Sequence, residues 1–126
     1  MRKLTVLISV VTVAMALPAL APGQRNPDIL RSGTCSGGGT WKLKGGIDDG
    51  LLDVEFEVDQ NRNGRRWTVV ITRDGTRVFR GVRITRPPSG SFEISRRFRN
   101  PAGRDRLVAV ARNRADGRVC RGAITV

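Results

Sequence analysis

Arginine is the residue type in this sequence whose abundance most directly suggests a chemical role. Twenty of the 23 basic residues are arginines, and the formal net charge is +12. A guanidinium group can bind phosphate, sulfate or carboxylate through two parallel hydrogen bonds, so this composition is compatible with polyanion binding. A GC-rich genome, whose codons favour arginine over lysine, would produce the same excess without any binding function. Both explanations stay open at the level of the sequence.

Arginines that lack an acidic neighbour in the sequence are the candidates for anion binding. No acidic residue lies between Asp74 and Glu93, and a second cluster of arginines follows Glu93. The candidate anion-binding residues are Arg77, Arg80, Arg83, Arg96, Arg97 and Arg99. Because side chains alternate along a strand, Arg77 and Arg83 are predicted to share the face of Phe79. The partners considered are a cell-surface protein and polyanions, in the form of cell-wall phosphate, an anionic membrane or extracellular nucleic acid.

The segment from Asp59 to Gly64 matches the first half of an EF-hand calcium loop. Oxygen-bearing side chains occupy alternate positions before a glycine, and the candidate metal ligands are Asp59, Asn61 and Asn63. The EF-hand pattern also requires a bidentate glutamate at its last position, where this sequence has Val70. The alternative is a plain turn that uses asparagine and glycine for their tolerance of left-handed backbone. No cofactor is expected.

The sequence offers few of the groups that enzymes use for proton transfer or nucleophilic attack. It contains no histidine, and its two cysteines would leave no free thiol if they form a disulfide. Acidic residues alternate between positions 53 and 59, but any outward face of a strand places carboxylates at the spacing of about 5–10 Å found in glycosidases. We therefore expect a non-enzymatic binding or interaction module of unknown target, with a polyanion binder and a small hydrolase as the alternatives.

The segment Leu51–Asp59 is the clearest structural element. Apolar and acidic residues alternate along it, so a strand would present one apolar face and one acidic face. The apolar residues are Leu52, Val54, Phe56 and Val58, and the acidic residues are Asp53, Glu55, Glu57 and Asp59. The apolar face requires a second layer to cover it, and the acidic face is expected to lie opposite arginines on adjacent strands. Asn63-Gly64 predicts a hairpin into the next strand, 67–73, in which Trp67 faces the core.

Further alternating segments, separated by glycine, proline and asparagine, predict seven strands in total. They cover residues 40–44, 51–59, 67–73, 76–85, 91–98, 107–111 and 119–126. Short strands at this spacing favour an all-β fold, an antiparallel seven-stranded sandwich of the immunoglobulin-like kind. The single domain is predicted to span residues 35–126, and a monomer is the default expectation.

Two turns decide how the later strands pair. A two-residue loop at Asp74-Gly75 would pair Ile71 with Val78, whereas a three-residue loop with a bulge would pair Val69 with Phe79, and the sequence does not choose between them.

The second turn, at residues 114–117, fits a type I turn with glycine in the left-handed position. We prefer a three-residue loop there, because it places Val108 and Val110 on the same face as Cys120 and Ile124.

The first residues of the chain have the composition of an export signal. A basic start is followed by an apolar run at 4–17 and then by small residues, which is typical of a secretory signal peptide. The run is short for a membrane span, which needs about 20 residues, and an uncleaved anchor is the alternative. We predict a helical signal peptide at 1–23, an exposed N-terminal arm at 24–34, and a secreted, extracellular protein.

Cys35 and Cys120 lie near the two ends of the expected mature chain. A pair of cysteines in an exported chain predicts a disulfide, and two free buried thiols are the alternative. A bridge that closes a loop of about 85 residues would contribute roughly 4–5 kcal/mol to stability in the chain-entropy model. We expect it to tie the two chain ends together rather than to link one sheet to the other.

The order of these motifs resembles that of a known group of proteins. A cysteine is followed by Trp41-Lys42-Leu43-Lys44, by the strand at 54–59 and by Gly90-Ser91-Phe92, and the chain closes on Cys120 and Gly122. The pattern resembles small secreted actinobacterial proteins of unassigned function over most of residues 33–126, and more loosely immunoglobulin-like or fibronectin type III-like sandwiches. The first resemblance implies no activity and transfers no functional residues. The second is architectural, and the absence of tyrosine departs from the usual immunoglobulin pattern.

Overall fold

The computed structural model describes residue 15, residues 27–99 and residues 103–126. Except for Met15, the predicted signal peptide at 1–23 lies outside the described residues, and so does the predicted arm up to residue 26. Within the described part of the chain, no helix has the length and apolar character needed to cross a membrane.

Eight strands form two four-stranded antiparallel sheets that pack as a sandwich. The strands are β1 (Ile29–Thr34), β2 (Thr40–Asp48), β3 (Leu51–Asp59), β4 (Arg66–Arg73), β5 (Thr76–Ile84), β6 (Ser91–Arg99), β7 (Arg106–Arg112) and β8 (Val119–Thr125). The first sheet has the order β1-β2-β3-β6, and the second has the order β5-β4-β7-β8. The predicted all-β sandwich is confirmed, with eight strands in the described residues instead of seven.

The additional strand, β1, lies in the second half of the segment predicted to be an exposed arm. It pairs with β2 from Ile29, opposite Gly45, to Thr34, opposite Thr40. Most of its side chains are exposed, and Ile29 packs against the core. An edge strand with so little apolar contact is held mainly by its backbone hydrogen bonds, so its sequence lacks the alternation that would reveal it.

Strand β3 is confirmed as the element around which the core is built. It lies between β2 and β6, and its four inward apolar side chains, those of Leu52, Val54, Phe56 and Val58, are 0 % exposed. Leu43 of β2 and Ile94 of β6 lie on either side of Phe56 and extend the same buried layer. The alternation in the sequence therefore predicts the inner and outer faces of this strand correctly.

The second sheet covers that layer with the inner faces of β4 and β7. Trp67, Val69 and Ile71 of β4 are fully buried, as predicted for Trp67. The rings of Trp67 and Phe92 lie 6.4 Å apart between centroids, so an aromatic contact joins the second sheet to β6 of the first.

The inner face of β7 differs from the prediction, because Val108 and Val110 lie on its outer face. The buried residues are Leu107, Ala109 and Ala111. The turn explains the difference: Asn113 N–H donates to Arg118 O at 2.9 Å, which leaves a four-residue loop rather than a three-residue loop. A one-residue change in register exchanges the two faces of a strand.

The predicted hairpin at Asn63-Gly64 is wrong, because β3 and β4 belong to different sheets. Gly64 has the expected left-handed backbone, with φ of 72°, but the chain then crosses to the second sheet. Thr85 anchors the crossing: Gly64 N–H donates to Thr85 O at 2.7 Å, and Arg65 N–H donates to Thr85 Oγ1 at 2.9 Å. A hairpin and a crossing use the same turn residues, so the dipeptide does not distinguish them.

A β-bulge sets the pairing of β4 with β5. Asp74-Gly75 forms a two-residue loop, but the register shifts between Thr72 and Ile71, so Ile71 lies opposite Phe79. Neither of the two predicted registers occurs. Two residues oppose one at a bulge, and here Val78 and Phe79 both pack against the core.

Cys35 and Cys120 form the predicted disulfide, with their Cα atoms 4.3 Å apart. Cys35 follows β1 of the first sheet and Cys120 lies on β8 of the second, so the bridge links the two sheets, contrary to the expectation that it would join only the chain ends. Trp41 closes the same edge, where a Cβ atom at Gly33 or Gly122 would lie 2.8 or 2.5 Å from its ring. The disulfide is consistent with an oxidising, extracellular environment.

Substitutions in β3 test the assignment of its two faces. We expect Phe56→Ala to lower the free energy of unfolding by about 3–5 kcal/mol, because it removes a fully buried ring. Glu55→Ala should lower it by less than about 1 kcal/mol, since its ion pair with Lys44 is solvent-accessible. Urea denaturation of the two variants measures both values. Equal losses would contradict the assignment.

The disulfide should form completely in the exported protein. Intact-mass analysis after alkylation without reduction should show no modified thiol, because Cys35 and Cys120 are bridged. The Cys35→Ser, Cys120→Ser double variant should lose about 2–5 kcal/mol of stability. Alkylation of both cysteines in the unreduced protein would refute the bridge.

Candidate anion-binding face

The outer face of the first sheet carries charges of both signs. Its acidic residues are Asp48, Asp53, Glu55, Glu57, Asp59 and Glu93, and its basic residues are Lys42, Lys44, Arg97 and Arg99. Cross-strand registry brings opposite charges together, because Asp53 of β3 faces Arg97 of β6 and Glu55 faces Lys44 of β2. This face is therefore electrostatically mixed, with a small excess of negative charge.

Ion pairs neutralise part of the acidic row of β3, as the sequence predicts. Lys44 Nζ lies 2.8 Å from a carboxylate oxygen of Glu55. Arg97 Nε donates to Asp53 at 2.6 Å, and its Nη2 lies 3.2 Å from Asp48. The hydrogen bond and the charge of Asp53 raise the pKa of Arg97, and both ion pairs of this guanidinium are with acidic residues of its own sheet.

The outer face of the second sheet is basic only. The strand registers place six exposed arginines there, and no outward position of these four strands holds an acidic residue. The six, which we call the basic face, are Arg66, Arg77, Arg80, Arg106, Arg112 and Arg121. None of them forms an ion pair with any residue in 27–99 or 103–126.

Two acidic residues lie in the turns that join strands of the second sheet, and both have other partners. Asp74, in the β4–β5 turn, accepts a hydrogen bond from the backbone N–H of Arg106 at 2.8 Å. Asp116, in the β7–β8 turn, accepts from the backbone N–H of Arg118 at 2.9 Å, and the Arg118 guanidinium lies 3.4 Å away. Neither carboxylate is therefore paired with a guanidinium of the basic face.

A groove of about 750 Å³ opens at one end of the basic face. Four arginines line it, from the loop before β4, from β4 itself, from β5 and from the β7–β8 turn. They are Arg65, Arg66, Arg80 and Arg114. Thr68 contributes a hydroxyl and Val82 an apolar wall, and no acidic residue lines the groove. Such a concave, cationic site can hold an anionic group by charge-assisted hydrogen bonds.

Backbone hydrogen bonds fix both walls of the groove. Thr85 is buried and binds the loop that carries Arg65, as described above, and its backbone N–H donates back to Arg65 O at 2.9 Å. On the other side, Asn113 Oδ1 accepts from Ala115 N–H at 3.0 Å, and Asn113 O accepts from Gly117 N–H at 2.8 Å. The backbone at Arg65 and in the 114–117 turn is thus held in place without a ligand.

The structure disperses the six predicted anion-binding residues. Arg77 and Arg80 lie on the basic face. Arg97 and Arg99 lie on the outer face of the first sheet, across the sandwich from them. The predicted common face of Arg77 and Phe79 is wrong, because the bulge places Arg77 opposite Thr72 on the outer side.

The remaining two candidates, Arg83 and Arg96, close the edge between β5 and β6. Their guanidinium carbons lie 5.6 Å and 4.9 Å from the centroid of the Phe79 ring. Phe79 points inward from β5, so these cation–π contacts cover the open side of the core. The two arginines have a structural role in this position.

Sequence reasoning missed Arg66, Arg106, Arg112 and Arg121. Along β7 the residues alternate between buried and outward positions, and Arg106 and Arg112 both fall on the outward set. The alternation along β7 therefore contained the information needed to find Arg106 and Arg112. The three-residue loop preferred for the β7–β8 turn, however, placed these two arginines on the inner face instead of the outer face.

The candidate calcium loop is engaged in hydrogen bonds of its own. Asp59 Oδ1 accepts from Asn61 N–H at 3.0 Å, and Gln60 is buried, where its Oε1 accepts from Arg118 at 3.1 Å. Asn61 and Asn63 are exposed. Within the described residues, no three His, Cys, Asp or Glu side chains are grouped as a metal site. Calcium binding stays a prediction.

Comparison with protein-family models, with curated proteins and with solved structures finds no match to this chain. The resemblance to small secreted actinobacterial proteins gains no support from these comparisons. The function has to be argued from the geometry of the basic face itself.

Thr85 provides a test of how the groove is held. We expect Thr85→Val to cost about 1–3 kcal/mol of unfolding free energy, because it leaves the Arg65 N–H without its buried acceptor. Thr76→Val is the control, since Thr76 is exposed and makes no such contact in the described structure, and it should change stability by about 0.5 kcal/mol or less. Thermal or urea unfolding measures the difference, and equal effects would remove Thr85 as the anchor.

Proposed function

We propose that this protein is a non-enzymatic binding module whose ligand is an anionic polymer, held on the basic face. The observation that carries the proposal is the exclusion of acidic residues from the outward positions of four adjacent strands that hold six exposed arginines. Among the described residues we find no arrangement that favours the alternative of a small hydrolase.

The spacing of the arginines suits a polymer rather than a single small anion. Neighbouring strands lie about 4.8 Å apart, and successive outward residues on one strand lie about 7 Å apart. The Arg80 and Arg121 positions fall in one cross-strand row, separated by Val70 and Val110. Duplex DNA carries one charge per about 1.7 Å of its axis, so a polymer of comparable charge density can contact several arginines at once.

The contrast between the two outer faces supports a defined binding orientation. The first sheet carries an excess of acidic residues, and the second carries only basic ones at outward positions. A polyanion is attracted more strongly to the second sheet than to the first, which steers association as well as strengthening it. A uniformly basic protein would lack this orientation.

We also propose an immunoglobulin-like arrangement for the sandwich. Strand β3 connects across to β4, and β6 returns to pair with β3, which is a connection of the Greek-key type. Trp67 is buried on β4, in the second sheet, as the core tryptophan of immunoglobulin domains is on strand C. The disulfide departs from that pattern, because it joins the sheets at an edge.

An extracellular location fits this function. The predicted signal peptide at 1–23 and the disulfide between Cys35 and Cys120 both support export. Outside the cell, phosphate-bearing wall polymers, anionic membranes and released nucleic acid all present repeated negative charges to such a face.

The salt dependence of binding tests the proposal. The domain should bind heparin and duplex DNA at low salt, and log affinity for duplex DNA should fall with log salt by about 0.9 per phosphate contacted. Arg80→Glu with Arg121→Glu should lower that slope by about 2, because two contacts are lost. Lys42→Glu with Arg99→Glu is the control: it makes the same change in net charge on the opposite face.

The control should leave the slope nearly unchanged, and circular dichroism should show that both double variants fold. Absence of retention on heparin and on DNA at low salt would refute the proposed function. Equal losses in the two double variants would show that net charge, rather than the basic face, is responsible.

A further inference from the structure

The groove is a concave part of the basic face to which both loops and strands contribute. Arg65 and Arg114 extend from loops, and Arg66 and Arg80 extend from strands. An anionic group in the groove would have guanidinium groups around it rather than beneath it. Arginine is suited to such contacts because its donors form a fixed, planar fork that binds two oxygens of one phosphate or sulfate group, as it also binds those of a carboxylate.

The groove also lacks the aromatic side chains that are typical of one mode of nucleic-acid recognition. Proteins that bind single-stranded nucleic acid stack the bases on aromatic side chains. All the aromatic residues of this chain lie in the core or pack against it. They are Trp41, Phe56, Trp67, Phe79, Phe92 and Phe98. Beside its arginines the groove offers Val82, Ala115 and Gly81, so the planar groups that line it are charged guanidiniums rather than aromatic rings.

We propose that this groove is the primary contact of the basic face and that it takes a tetrahedral oxyanion, phosphate or sulfate, carried on a flexible chain that needs no aromatic group. The inference rests on the proposed function and specifies which part of the basic face selects the ligand. The fixed backbone of both walls supports it, because loops that are ordered before binding lose little backbone entropy when the anion arrives.

A small probe separates the groove from the rest of the face. Inorganic tripolyphosphate and a sulfated heparin disaccharide are each too short to cover the whole sheet, and titration calorimetry measures their affinity. Arg80→Gln with Arg114→Gln should weaken binding of the preferred probe by about tenfold or more. Arg106→Gln with Arg121→Gln removes the same charge outside the groove lining and should weaken it by less than about threefold. The tighter of the two wild-type complexes identifies phosphate or sulfate as the group.

The outcome separates this inference from the proposed function. If long heparin binds the wild type but the two double variants affect the small probes equally, or neither small probe binds the wild type, the groove is not a selective site although the face still binds polymers. If long heparin and duplex DNA also fail to bind at low salt, the proposed function fails. Thermal unfolding of each variant excludes loss of fold as the cause.

A pair of matched oligonucleotides tests the prediction that the groove does not bind the bases of a nucleic acid. Oligothymidylate and an abasic deoxyribose phosphate chain of the same length carry the same charges. We expect affinities within about threefold of each other. If bases stacked on the protein, each would contribute roughly 5-fold to 150-fold. A preference of more than tenfold for oligothymidylate would overturn the inference.

Discussion

The packing of the apolar row of β3 against the inner faces of β4 and β7 is the interaction on which the rest of the structure depends. These rows contain only apolar side chains, and Phe56 and Trp67 are the largest of them. A layer of apolar side chains that excludes water accepts almost no charge, because burying an unpaired ion costs free energy. The exception, Arg73 with Asp105 at 2.8 Å, lies at the end of the sandwich as a pair. Nearly every other charged residue is therefore forced to an outer face, an edge or a turn.

Topology then converts a segregation of charge along the chain into a segregation in space. Six of the eleven acidic residues lie within residues 48–59, which form the end of β2, its turn and β3. Strands β4, β5, β7 and β8 together carry eight arginines and no acidic residue, and all four join the other sheet, whereas β6 brings three arginines to the first sheet. Because the chain crosses to the second sheet at Gly64, β4 and the strands that pair with it lie away from the acidic row of β3.

Different side-chain contacts cover the core at the two edges of the sandwich. At the side of β2 and β8, the disulfide and the Trp41 ring, which lies against Gly33 and Gly122, leave no room for other side chains. At the side of β5 and β6, Phe79 is covered by the guanidinium groups of Arg83 and Arg96. This second solution uses arginine as a structural group, which is why proximity in sequence was a poor guide to the arginines available for a ligand.

The sequence could predict features that depend on the type and spacing of neighbouring residues. It could not predict the register in which the strands pair. Alternation in β3, the burial of Trp67 and the cysteine pair follow from side-chain type and spacing, and all three are confirmed. The bulge at Val78 and the four-residue turn after Asn113 each shift a strand by one residue, and no residue type marks them. Because such a shift exchanges the two faces of a strand, the bulge and the turn determine which arginines point outward. They therefore determine which arginines belong to the candidate site.

The distribution of acidic residues favours the proposed binding function over genome composition as the reason for the arginine excess. Codon bias supplies arginine wherever the fold tolerates it, and it should do so on both outer faces. It gives no reason for Asp and Glu to be absent from the outward positions of four strands while they are frequent on the opposite sheet. Unpaired arginines in neighbouring rows repel one another, so an interspersed carboxylate would stabilise the free protein. An outer face without such carboxylates is expected where a bound ligand supplies the negative charge.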